Sequence, residues 1–134
     1  MIYLFFFLLQ VIPKDADVIT VKNISYAEAL TSISSANIVI DRHDDGLGTF
    51  QTVPIADSRG STHIFYVRVK DSTAFITGTY NLNWQMGGLI KQNTSFERIR
   101  YSGWKTGADK VHFGYMQKFA ELFNKELGYS VTKQ

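Results

Sequence analysis

Hydrophobic and polar positions divide the chain into short, clearly bounded segments. Val18-Ile19-Thr20-Val21 is rich in β-branched residues and has strand length. Ser25-Tyr26-Ala27-Glu28 then has the spacing of a capping box, with Ser25 as N-cap and Glu28 three residues on. Ala29, Leu30 and Ile33 follow at helical spacing, which predicts a helix over about 26–36 ended by Asn37. Ile38-Val39-Ile40 predicts a strand leading into the turn Asp44-Asp45-Gly46-Leu47-Gly48. Further strands are expected over Thr49–Ile55, Thr62–Lys70 and Thr73–Trp84. Within them Phe65, Val67 and Val69 alternate against Ile64, Tyr66, Arg68 and Lys70, and Asp71-Ser72 makes a two-residue turn. Gln85–Thr94, with Gly87-Gly88, reads as a loop, and Phe96–Tyr101 allows one more short strand. From about Asp109 to Leu127, Val111, Tyr115, Met116, Phe119, Leu122, Phe123 and Leu127 form an apolar helical stripe with Gly128 as its stop.

The order is strand, helix, four-strand meander, helix. It predicts an α+β fold: an antiparallel four- to five-stranded sheet with two helices packed on one face, the other face left wet. A chain of 134 residues with 45% hydrophobic and 14% aromatic content supports one core. The absence of cysteine excludes disulfide scaffolds, thiolate metal sites and thiol chemistry. A net charge of +2 gives no broad field for nucleic acid. Ile2–Leu9 is an unbroken apolar run, too short for a membrane-spanning helix but of the length of a signal-peptide hydrophobic region. The expected organisation is an export signal or N-terminal apolar segment over residues 1–16 and a single domain over 17–134.

Val18 to Leu30 followed by Ile38-Val39-Ile40-Asp41-Arg42, with Gly48-Thr49-Phe50-Gln51-Thr52 and Ile64 to Asp71, resembles small exported proteins and lipoproteins of the Bacteroidetes type. The resemblance covers about residues 16–127. It implies a TBP-like or helix-grip β-α-β4-α domain, related to an accessory lipoprotein of the outer-membrane barrel-assembly machine. It carries over no catalytic residues, and this chain lacks the cysteine that bears the lipid in such lipoproteins.

Candidate chemistry is sparse. Asp41, His43 and Asp45, at i, i+2 and i+4, share one side of a continuing strand and offer two carboxylates and an imidazole to a divalent metal. His63 and His112 are the remaining histidines. Arg98, Arg100, Trp104 and Lys105, with Tyr101 and Lys110 nearby, form the densest basic and aromatic cluster, suited to a phosphate, carboxylate or sugar-like ligand. No nucleotide-binding glycine motif or nucleophile elbow is present, so no cofactor is expected. These features point to a non-catalytic domain that binds a protein partner at the cell envelope through the uncovered sheet face or its edges. A different class of function, small-ligand binding or enzymatic, would use a pocket between the last helix and the sheet, with Trp84, Met86, Phe113 and Tyr115 as lining. An intracellular accessory protein with residues 2–9 as a core strand is the third expectation.

Overall fold

The computed structural model describes residues 12–57, 60–81, 83–86, 89–92, 96–101 and 107–132. The elements run β1 (Val18–Lys22), α1 (Tyr26–Ser35), β2 (Ile40–Asp44), β3 (Thr49–Thr52), β4 (Ile55–Ala56), β5 (Thr62–Lys70), β6 (Thr73–Asn81), β7 (Asn83–Met86), β8 (Leu89–Gln92), β9 (Glu97–Arg98), α2 (Gly107–Glu121) and β10 (Leu127–Ser130). Among the described residues the fold is α+β, an open antiparallel sheet with two helices. The main sheet has eight strands in the order β10-β1-β6-β5-β3-β2, with β4 paired to β5 and β9 to β6. A separate two-stranded sheet joins β7 and β8.

Local chemistry explains where the elements start and stop. The Ser25 hydroxyl oxygen accepts the Glu28 amide at 3.1 Å and caps α1. At its other end Asn37 takes φ 63°. The β5–β6 hairpin turns on Asp71 and Ser72, at φ 53° and 60°, the pair of left-handed residues that a tight hairpin turn requires. Because only glycine occupies that region without steric cost, Ser72→Gly should stabilise the fold by about 0.4–1 kcal/mol. Thermal unfolding checks this; a lower midpoint would mean the serine side chain supports the turn.

The structure corrects the expected layout at four places. The second meander strand is broken into β3 and β4, with Val53 and Pro54 between them, because proline cannot donate to a ladder. The first meander strand begins at Ile40 and runs on to Asp44, with an irregular step in register between Ile40 and Arg42. The segment read as a glycine loop contains the β7–β8 hairpin. The last helix ends at Glu121, not Leu127, because Asn124 turns left-handed at φ 55° and its amide donates to the Glu121 carbonyl at 3.1 Å. Leu127 and Gly128 instead belong to β10, which adds a strand beside β1. The sheet is therefore wider than four or five strands.

One core joins both helices to a single sheet face. Ile19 and Val21 of β1, Phe65 and Val67 of β5, and Ala74 and Ile76 of β6 point inward with Ala29 and Ile33 of α1 and Phe113, Met116, Phe119 and Ala120 of α2. The α2 stripe is centred on His112, Met116 and Phe119, with Phe113 buried and Val111 only half-buried. Gly78 lets α2 and β9 approach the middle of β6: a Cβ there would lie 2.9 Å from Ile99 Cδ1 and 3.3 Å from Met116 Sδ. Ala16 is fully buried and Asp15 donates its amide to the Tyr101 carbonyl at 2.6 Å, so the packed domain extends upstream of Asp17. Among the described residues, no helix is long and apolar enough to cross a membrane.

Candidate functional site

Two of the hollows among the described residues lie on opposite sides of the sheet. The first, about 800 Å³, is the concave open face. Alternation sends Tyr66 and Arg68 of β5 and Phe75 and Thr77 of β6 to this side, where Arg42 of β2 and Arg98 of β9 join them. The Arg68 guanidinium stands 5.3 Å from the centre of the Phe75 ring, a cation–π contact. Arg98 is held in place by Asp17, with Nε 2.9 Å from Oδ2, and donates to Thr132 Oγ1 at 3.1 Å. The face therefore offers guanidinium groups beside Tyr66 and Phe75, with His43 and Asp44 on the same lining, and guanidinium groups grip carboxylates and phosphates.

The second hollow, about 270 Å³, lies between α2 and the sheet and is bordered by Asp57, His63, Tyr115, Lys118 and Phe119. In its wall His63 Nε2 and His112 Nδ1 approach to 2.8 Å, both residues being almost fully buried. Strand alternation puts His63 on the inward side of β5 with Phe65 and Val67, and helical spacing puts His112 in line with Met116 and Phe119. Asp57 arrives from the turn after β4. That turn is closed by the Asp57 amide on the Ser61 carbonyl at 2.8 Å and the Ser61 amide on Asp57 Oδ1 at 3.0 Å. The imidazoles are packed by rings: Tyr80 stacks on His112 at 3.9 Å and Tyr115 lies 4.9 Å from His63. Tyr80 is itself anchored, its hydroxyl donating to Glu97 Oε2 at 3.0 Å.

Burial holds His63 below the ordinary imidazole range, with His112 adding to the effect and Asp57 and the Ile55 backbone opposing it. The unfolded chain thus takes up the His63 proton first. Its contribution to stability is full above about pH 6.5 and is lost as pH falls toward the folded-state value. Urea midpoints should drop between pH 7.5 and 5.5, at no more than about 1.4 kcal/mol per pH unit for one proton. A folded His63→Gln variant should lose that slope, and an unchanged slope would place its origin elsewhere.

The residues singled out by sequence are distributed differently. His43 and Asp45 do meet, Nδ1 to Oδ1 at 3.2 Å, on an exposed turn. Asp45 also neighbours Tyr26, whose phenol burial pushes up to about 12 with Asp45 reinforcing the shift. Asp41 is exposed, falls at the irregular step in β2, and lies 4.0 Å from Arg42 Nε. Arg98 and Arg100 flank the fully buried Ile99, and Arg98 is engaged by Asp17. Trp104 and Lys105 lie outside the described residues. Of the expected pocket lining, Tyr115 borders the hollow, whereas Phe113 packs against Tyr101 and Tyr129; the side chains of Trp84 and Met86 lie outside the described part. The Asp57, His63 and His112 grouping was missed, although a histidine on each of two apolar faces was the signal for it.

No family model matches this chain, and no curated protein is recognisably similar to it.

Proposed function

We propose that this is an exported domain of the cell envelope that acts by binding rather than catalysis, with the open face of its sheet as the contact surface. The observation that carries this reading is the hollow of about 800 Å³ whose lining joins Arg42, Arg68 and Arg98 to Tyr66 and Phe75. An acidic protein segment fits it best, because guanidinium forks pair with carboxylates while the rings take up its apolar stems. A wide antiparallel sheet with α2 touching β1 and β6 is compatible with a helix-grip, TBP-like arrangement, which is part of the same proposal. Export processing that spares the packed domain falls upstream of Pro13, whose carbonyl accepts the Ala16 amide at 3.1 Å.

The test combines location with binding. Fractionation of cells carrying the tagged full chain should find it in the envelope; an unprocessed cytosolic product overturns the export part. A labelled glutamate-rich peptide should bind the purified chain, less tightly as salt rises. The Arg42→Glu, Arg68→Glu double variant should weaken binding at least tenfold. Equal binding by both proteins overturns the open-face assignment.

A second reading has its own observation, the hollow of about 270 Å³ under α2. It falls just below the roughly 300–1,000 Å³ of ordinary small-molecule sites, so it suits an ion or a ligand of few atoms.

A further inference from the structure

Asp57, His63 and His112 reach one place from three separate elements, a turn, a strand and a helix. One carboxylate oxygen and two imidazole nitrogens there lie within 4.8 Å of one another. We propose that this cluster binds a divalent transition metal of the zinc type. The inference concerns the second hollow and does not rest on the open-face reading.

Two imidazoles and a carboxylate suit zinc and its transition-metal neighbours better than calcium or magnesium, which prefer all-oxygen shells. Geometry comes next. Two nitrogens at about 2.0–2.1 Å from a tetrahedral ion stand about 3.4 Å apart. The histidines, now 2.8 Å apart, need only open by about half an ångström, and a carboxylate no more than 4.8 Å from them closes by little over one.

Orientation supports the same assignment. His63 pairs with Ile55 in the β4–β5 register, and its Nε2 faces His112 Nδ1. Across this 2.8 Å contact one nitrogen carries a proton and the other accepts it, and a metal entering between them displaces that proton. The Tyr80 and Tyr115 rings restrict both imidazoles further. Finally, the adjoining hollow touches Asp57 and His63 and supplies an entry path. Three protein ligands beside such a space leave a fourth position for water or a small anion, with Lys118 on the same wall.

The test uses the full chain freed of metal with a chelator and then titrated with Zn2+ or Co2+ alone. Co2+ should give the visible absorption of a tetrahedral site. Zn2+ at a hundredfold excess over its Kd should shift the folding equilibrium about 100-fold toward the native state, read as a rise of several degrees in midpoint. Asp57→Asn, in a half-buried turn, and His112→Gln should each reduce affinity at least tenfold while circular dichroism reports a folded chain. If His112→Gln does not fold, Asp57→Asn decides. His43→Ala, on the exposed turn, should change nothing. Absence of both the absorption and the midpoint shift in the wild type overturns the proposal and leaves the histidines as a packing pair. So does a signal that survives Asp57→Asn, or one abolished by His43→Ala.

Discussion

Phe119→Ala should lower the stability of the fold by about 3–5 kcal/mol, the range for deleting a fully packed phenylalanine. Phe119 is 3% exposed, its ring stacks on Phe65 at 4.5 Å, and it meets Phe123 edge-on at 5.9 Å. These contacts tie α2 to the centre of the sheet. Against a total stability of about 5–15 kcal/mol, the loss is a large fraction. Urea unfolding should give a lower midpoint with an unchanged slope. Val39→Ala, at a position 62% exposed, serves as control and should stay within about 0.5 kcal/mol. A Phe119→Ala loss below 1 kcal/mol would contradict the packing of α2 described above.

Asp17→Ala should cost about 2–3 kcal/mol. Its Oδ1 accepts the Thr132 amide at 2.8 Å and the Thr132 hydroxyl at 3.0 Å, while Oδ2 pairs with Arg98 Nε at 2.9 Å. One nearly buried carboxylate thus joins the start of β1 to the segment after β10 and to β9. The ion pair contributes less than its distance suggests, because the Arg98 side chain is 41% exposed and screened by water. The hydrogen bonds to Thr132 carry most of the effect. Asp17→Asn, which keeps one acceptor oxygen, should lose roughly half as much. Equal losses for the two variants would assign the effect to charge alone.

The legible parts of the fold were those set by neighbours in sequence. Ser25 and Glu28 announced α1 by their spacing, and the alternation of Phe65, Val67 and Val69 announced β5. The end of α2 was not legible from periodicity. Leu122 and Phe123 continue the helical stripe in sequence while Asn124 turns the backbone out of the helix, so burial and helicity part company there. β10 was hidden because its partner, β1, lies more than a hundred residues away, and such a pairing leaves no local mark. The same holds for the two hollows. Arg42, Arg68 and Arg98 meet only through strand order, and His63 finds His112 49 residues along. The helical stripe read from sequence runs through Val111, not His112, and His63 is assigned there to neither strand face, although His63 shares the parity of Phe65 and His112 lies one turn before Met116.

The register that aligns Val18 with Ser130 has a kinetic consequence. An emerging chain can assemble β5 and β6 as soon as their hairpin is made, and β1 can join β6. The flank of β1 that β10 will cover stays open until Leu127–Ser130 arrive. Loop-closure entropy makes this the slow pairing. During that interval an incomplete molecule presents Val18 to Val21 as a bare template for another nascent chain. Shortening the polypeptide before Leu127 would make that transient exposure permanent.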